Sequence, residues 1–379
     1  MRFELSEEQS AFQDMARGFA RDELAPHAAH WDETSHFPVD VLRKAAALGL
    51  AGIYVREDVG GSALTRLDAA LVFEALSEGC TSTAAFLSIH NMASWMIDTY
   101  GSEDQRRKWL PRLTTMELIA SYCLTEPSSG SDAASLRTRA VRDGDHYVVN
   151  GGKAFISGAG TSDIYVCMVR TGDETSNGIS CLIIEKNMPG VSFGAPERKM
   201  GWNSQPTAQV MFDNVRVPVA NLVGAEGQGF RIAMSGLDGG RLNIGACSIG
   251  TATAALKAAK AYMMERKQFG KTLSQFQALQ FKLADMATEL EAARLLLYQA
   301  AWKVTMKSPD STMQAAMAKR FATDVGFNVV NDALQIHGGY GYLRDFPLER
   351  HLRDVRVHQI LEGTNEIMRV IIARELLKS

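Results

Sequence analysis

The 379-residue chain has only five cysteines, Cys80, Cys123, Cys167, Cys181 and Cys247, and no two of them form a C-x-x-C pair. An odd, scattered set argues against a disulfide framework or a zinc site and reads as buried, reduced thiols. No run approaches ~18 consecutive apolar residues, so no membrane-spanning helix is expected. There is no surplus of positive charge: 40 basic against 43 acidic residues leave a net charge of −3, which argues against nucleic acid as a partner. No G-x-G-x-x-G follows a strand and no Walker A sequence is present, so the two standard phosphate-cradling loops are missing. No G-x-S-x-G nucleophile elbow occurs. His337 and His358 have no acidic or thiol partners at ligand spacing, so no metal is expected. The N-terminal stretch MRFELSEEQSAF is acidic and amphipathic, unlike a secretory signal or an Arg/Ser-rich transit peptide, and an intracellular protein is expected.

What is present is a chain too long for a single core, with its periodicity changing twice. Residues 1–118 read as helical. Ser6 and Gln9 have capping-box spacing, and Phe12, Met15, Ala16 and Phe19 recur on one helical face. Pro26 should end that helix, and further helices are expected around 38–48, 66–79, 83–99 and 103–115. Residues 119–226 carry short β-branched runs, HYVVNG, KAFISG, DIYVCMVR, GISCLIIEK and AQVMFDNVRV, separated by turn residues. With no long helices between them, these runs predict an antiparallel sheet or barrel. Residues 227–379 are helical again. Leu279, Leu283, Met286, Leu290, Ala293 and Leu297 alternate steps of four and three, the seam of a helix bundle. The expected class is α+β: an N-terminal helical domain, a middle β domain and a C-terminal four-helix bundle.

Several segments could carry chemistry. The stretch from Tyr122 to Asp132, YCLTEPSSGSD, offers backbone N–H groups and the hydroxyls of Thr125, Ser129 and Ser131. On composition alone an ordinary turn after a helix is the favoured reading. Phe155-Ile156-Ser157 follows an expected turn at Asn150-Gly151 and could flank a flat ring or fill the core. Asp238 and Arg241 bracket Gly239-Gly240 and could pair with each other or hold a ligand. Arg266-Lys267 precede Gly270 at a helix end, where cations are mildly stabilising in any case. Arg353 and Asp354 read as a surface pair. Glu362, between Leu361 and Gly363, could be a solvated side chain or cap a backbone donor, the usual fate of a lone Glu near a helix end, but it is also placed where a turn can strip its head group of water. Such a carboxylate becomes a useful base near neutral pH.

In order, YCLTEPSSGSD, FISGAG, a helical Arg followed by QFG, QIHGGYGY and LEGTNEIMR resemble the acyl-CoA dehydrogenase family of flavoenzymes. The likeness runs from the first helix through Leu377. It implies FAD and an acyl-CoA thioester. The resemblance places Tyr122, Cys123, Leu124, Thr125, Glu126, Pro127, Ser128, Ser129, Gly130 and Ser131 along the flavin, with Ser131 also reaching the CoA arm. Phe155, Ile156 and Ser157 would pack on the isoalloxazine. Arg266, Phe276, Gln277, Gln335, Ile336, His337, Gly338 and Gly339 would hold the dinucleotide portion of a neighbouring subunit's FAD. Thr364, Asn365 and Glu366 would also touch FAD. Asp238, Gly239, Gly240, Arg241 and Arg374 would contact the CoA substrate.

Glu362 falls where the family has its catalytic base, removing the α-proton while the β-hydrogen leaves as hydride to flavin N5. Some relatives place the base one residue before the helical arginine; here that residue is Gly240. Many have an aromatic before the glutamate; here it is Leu361. The stretches KAFISGAGTSDIYV, GISCLIIEK, GWNSQPT and VHQILEGTNEIMR are closest to members acting on isobutyryl-CoA in valine degradation. The resemblance further implies an electron-transfer flavoprotein as acceptor, a homotetramer built as a dimer of dimers, and a bacterial cytoplasmic or mitochondrial matrix location. The alternatives are n-butyryl or 2-methylbutanoyl specificity, an oxygen-using oxidase, and a noncatalytic flavin-binding protein. Typical oxidases carry extra C-terminal sequence, which favours the dehydrogenase.

Overall fold

The computed structural model describes residues 4–378. It opens with six helices: α1 (Glu7–Phe19), α2 (Ala28–Thr34), α3 (Val39–Ala47), α4 (Arg66–Ser77), α5 (Thr81–Tyr100) and α6 (Glu103–Thr114). The Ser6 hydroxyl accepts from the Gln9 N–H and the Gln9 side chain returns to the Ser6 N–H, so the capping box forms as expected. The chain does not stop at Phe19. One π-helical turn, Ala20–Leu24, carries it to Pro26 and leaves room for α2, which the sequence reading did not anticipate. The cue was Trp31, buried with Ala28 as the inner face of this short helix.

Eight strands follow: β1 (Ala120–Cys123), β2 (Arg139–Asp143), β3 (His146–Ser157), β4 (Ile164–Arg170), β5 (Ile179–Glu185), β6 (Val191–Phe193), β7 (Thr207–Pro218) and β8 (Leu222–Val223). They form one sheet in the order β6-β7-β3-β2-β4-β5-β8, with β1 paired to β4. Most pairs are antiparallel, but β1 and β2 each meet β4 in parallel. The expected turn at Asn150-Gly151 does not exist. HYVVNG and KAFISG are one strand, β3, whose pairing with β7 shifts register between Val149 and Gly151 and again between Lys153 and Ile156. Gly151 (φ +138°) absorbs the first irregularity, so the Asn-Gly signal marked a bulge and not a hairpin.

The C-terminal region contains α7 (Gly229–Glu265), a two-strand hairpin of β9 (Lys267–Gln268) and β10 (Lys271–Thr272), α8 (Gln277–Thr305), α9 (Ser311–His337), α10 (Leu348–Arg356) and α11 (Asn365–Leu376). Helices α7, α8 and α9 pack on one another, α4 lies against α7 and α8, and the shorter α11 lies on α9. The predicted seam is real: Met286, Leu290, Ala293 and Leu297 are buried, and Leu279 and Leu283 pack at its edge. Alanines dominate the facing sides, which lets α7 and α9 approach closely. The core of α4 and α5 is continuous with this bundle, while the sheet has a separate core centred on Tyr147, Tyr165 and Val210. Arg353 and Asp354 do not form a surface pair. Asp354 is buried and accepts from the Trp202 N–H at 2.6 Å, and Arg353 bonds Asp32 and Glu349. All five cysteines are buried and unpaired.

Candidate active site

Glu362 lies in the tight turn between α10 and α11, where two successive residues take left-handed backbone, Glu362 at φ +54° and Gly363 at φ +92°. Left-handed backbone at a non-glycine residue is strained and persists only where the surroundings impose it. Two buried cations impose it. Arg241 Nε donates to the Glu362 carbonyl at 3.2 Å, and Lys319 Nζ donates to the Gly363 carbonyl at 2.8 Å and to Asn365 Oδ1 at 2.9 Å. The Thr364 hydroxyl then caps α11 by accepting from the Ile367 N–H.

The Glu362 side chain turns inward against α7. A Cβ built at Gly240 would lie 2.8 Å from Cδ of Glu362 and closer still to Oε2. The carboxylate therefore occupies the space that a side chain at residue 240 would need. Oε2 is shielded from solvent and has no hydrogen-bond partner. Burial pushes the acid up to about 7, with Arg241 and Lys319 opposing the rise. Lys319, fully buried, is pushed down to about 8, chiefly by burial, while Glu362 favours its charged form. The Tyr122 hydroxyl is a second shielded atom with no partner; burial raises its pKa well above the ordinary value, and Glu362 is among the charges acting on it. Tyr122 and Glu362, 240 residues apart in the sequence, thus face one region.

Asp238 and Arg241 form the anticipated pair at 2.8 Å, one turn apart on α7, and Asp238 also accepts from the Thr312 hydroxyl at 2.7 Å. The loop after β1 is a tight turn closed by Glu126 N–H to Ser129 carbonyl (3.0 Å) and its reciprocal (3.1 Å). Several of its side chains serve the protein itself. The Ser129 hydroxyl donates to the Asp132 carbonyl at 2.6 Å. Glu126 accepts from the N–H groups of Arg137 and Thr138 and pairs with Lys153 Nζ at 2.7 Å. Lys153 also donates to the Leu124 carbonyl at 3.0 Å, tying the loop to β3. Outward-facing groups in this loop are Pro127, Ser128, Gly130 and Ser131. Phe155 is not a core residue. It is 68% exposed, with φ +57°, at the second irregularity of β3. An aromatic ring turned outward by strained backbone suits a flat, apolar partner such as a flavin, so the residues present fit that cofactor.

A separate cleft of about 480 Å3 brings Arg266 together with Ile336, His337, Gly338 and Gly339. Tyr262 stacks on His337 at 4.3 Å, and the Arg266 guanidinium lies 5.5 Å from the Tyr340 ring. Neither Glu362 nor the 122–131 loop lines this cleft. Phe276 is half-buried beside Phe269 and the Lys271 ammonium; Gln277 on α8 and Gln335 on α9 are exposed. Asn365 spends its amide on Thr323 and Asp324; Glu366 is exposed; Arg374 lies on the exposed last turn of α11 beside Glu375.

The sequence reading missed Lys153, Lys319 and Arg66. Lys319 had a visible signal: it lies in phase with Ala315 and Ala322 on the buried face of α9. Lys153 sits inside an apolar run that alternation alone could not orient, because the bulges on either side reset its facing.

No described helix is long and apolar enough to cross a membrane, and no group of three or more His, Cys, Asp or Glu among the described residues is placed to hold a metal. Models of the acyl-CoA dehydrogenase N-terminal, middle and C-terminal domains match residues 6–117, 121–215 and 227–377. The mitochondrial isobutyryl-CoA dehydrogenase of Dictyostelium discoideum is 58% identical over 375 residues, 99% of this chain and 90% of that protein. A chain from a structural study of the electron transferring flavoprotein of Acidaminococcus fermentans is 43% identical, with full coverage of both chains and a TM-score of 0.98. The FAD complex of PigA is 32% identical, covers 99% of each chain and has a TM-score of 0.96. The chain belongs to the acyl-CoA dehydrogenase family, with FAD as its cofactor.

Proposed function

We propose that the protein dehydrogenates a short, branched acyl-CoA, isobutyryl-CoA foremost, to the α,β-unsaturated thioester methacrylyl-CoA, as a step of valine degradation. One observation carries the reading: the Glu362 carboxylate, poised near pH 7 and without a hydrogen-bond partner, occupies the place Gly240 leaves open. The α-proton of a thioester is weakly acidic, so its removal needs a base with no competing partner in a water-poor site. Glu362 Oε2 meets that need. Arg241 and Lys319 hold its backbone and keep the base from relaxing out of position. FAD supplies the acceptor for the β-hydrogen and the electron pair; the 122–131 loop and Phe155 are where this chain would hold its ring, and Lys153 fixes the loop to β3.

Asp238, Arg241 and Arg374 are assigned to the CoA portion. The Arg266 and His337–Gly339 cleft is assigned to the dinucleotide of FAD in a neighbouring chain, within a homotetramer. Supporting this, the cleft shares no lining with the Glu362 site, and Phe269, next in the chain to the lining residue Gln268, is 93% exposed. The electron acceptor is an electron-transfer flavoprotein, and the compartment the bacterial cytoplasm or the mitochondrial matrix. The test is anaerobic bleaching of the holoenzyme by isobutyryl-, n-butyryl- and 2-methylbutanoyl-CoA, followed by mixing with oxygen. Isobutyryl-CoA should give the highest kcat/KM, and reoxidation by oxygen should be slow. Glu362→Gln should retain FAD and lose turnover by roughly 10²–10⁴-fold. Near-normal turnover in that variant, or fast peroxide release, would overturn the reading.

A further inference from the structure

The buried groups next to the base include one cation that the proposed mechanism does not use. Arg66 is the first residue of α4, inside the Thr65–Asp68 capping box. Its guanidinium lies 3.9 Å from the centre of the Tyr54 ring and 4.7 Å from that of Trp95. The residue is 8% exposed, and Nη1 has neither solvent nor an acceptor. Among the described residues no carboxylate is bonded to it. Tyr54 is the group that most favours its charge, and the carboxylate that acts on it, Asp238, spends its oxygens on Arg241 and Thr312. A buried cation with an unmade hydrogen bond is costly, and such groups cluster where a ligand completes them or is selected by them.

Its position ties it to the base. A Cβ at Gly239 would lie 2.6 Å from the Arg66 Cζ, as one at Gly240 would lie 2.8 Å from the Glu362 Cδ. Consecutive Cα atoms are ~3.8 Å apart, so the two head groups lie within about 12 Å of each other across a side-chain-free patch of α7. The Tyr54 hydroxyl, which accepts from Asn243 at 3.3 Å, responds to both Arg66 and Glu362. Asn243 Oδ1 is likewise shielded and unpartnered.

We propose that Arg66 is a specificity-determining residue that closes the acyl end of the Glu362 site with a charge and so limits acyl chain length. The inference rests on the proposed dehydrogenase reading. A four-carbon branched acyl group ends near the base. A longer chain must lay methylenes against a guanidinium already packed on the Tyr54 and Trp95 rings, stripping it of any remaining polar contact and giving no acceptor in return. The limit comes from the charge as well as from bulk, and that separates it from an ordinary steric wall.

The test uses the holoenzyme with Arg66→Met, which keeps a long unbranched side chain without charge, and Arg66→Lys, which keeps the charge. Two readouts are taken: the hexanoyl-to-butyryl ratio of kcat/KM, and the ratio of Kd values for the corresponding nonreactive alkyl-CoA thioethers, read from the flavin spectrum. Each methylene that gains apolar cover is worth about fourfold, so two should raise both hexanoyl-to-butyryl preferences at least tenfold in Arg66→Met. Arg66→Lys should stay close to wild type. Equal loosening in both variants, or no change in Arg66→Met, would overturn the proposal. So would a wild-type preference for glutaryl-CoA over butyryl-CoA, because Arg66 would then be a carboxylate clamp. If no acyl-CoA bleaches the wild-type flavin, the dehydrogenase reading itself fails, an outcome distinct from an unchanged length profile.

Discussion

Glu362 should destabilise the fold that uses it, by an amount that depends on pH. Its acid titrates near 4.5 when free and about 7 in place, because burial disfavours the ionised form. The raised value means that the fold prefers the protonated acid. The stability tied to protonation is fully present below about pH 4.5 and is lost as pH rises through about 7. Between pH 5 and pH 8.5 the loss amounts to about 2.5 kcal/mol, at 1.36 kcal/mol per unit of displacement. Glu362→Gln cannot ionise, so it should escape this loss. Its buried amide has costs of its own, but they do not vary with pH and cancel in the comparison. With ~2.1 cal/mol/K of unfolding entropy per residue, the shift is about 3 °C for a chain of this length. The measurement is thermal unfolding of wild-type and Glu362→Gln holoenzyme at pH 5 and pH 8.5. The variant should gain about 3 °C on the wild type between the two pH values. A constant difference would mean that Glu362 does not titrate near neutrality, and the argument for its role as base would lose its physical footing. The kcat profile should agree, rising with pH through about 7 as Oε2 loses its proton.

Two further changes probe how the site is held. Gly240→Ala puts a methyl within 3 Å of the Glu362 carboxyl group; displacement of a catalytic group by about 1 Å should cost roughly 10²-fold in kcat, while circular dichroism and FAD content stay unchanged, and normal turnover would show that the base does not rest there. Lys153→Met leaves Glu126 without its cation inside the sheet and frees the Leu124 carbonyl; breaking such a pair should cost about 3–5 kcal/mol in urea titrations and weaken FAD retention, and unchanged FAD affinity would dissociate the loop from the flavin.

The alternation of helix and strand periods made the three-region order legible, because amphipathic periodicity is a local property. The same reasoning failed at Asn150-Gly151, where a turn dipeptide lies within β3. Whether such a dipeptide reverses the chain or bulges it depends on the partner strand, and β7 continues alongside on both sides. The surface pair drawn from Arg353 and Asp354 failed for a related reason. Adjacent residues on a helix point in different directions, so Asp354 meets Trp202 while Arg353 reaches Asp32.

The site was legible where motif order carried it and opaque where function depends on what a residue is packed against. Glu362 was visible as a glutamate beside a glycine, but its pKa is raised by burial in the space beside Gly240 and held back by Arg241 and Lys319, all distant in sequence. Gly240 shows the difference most clearly. In the sequence it is a missing side chain that removes a rival base. In the fold its missing Cβ is the space that the actual base fills, and Gly239 next to it does the same for Arg66. Two adjacent glycines on α7 thus admit one anion and one cation to the same buried region. Neither substitution to alanine could be neutral, although an isolated helix would gain about 1 kcal/mol from each. That conflict between local propensity and tertiary demand marks residues 239–240 as part of the site, independently of any motif.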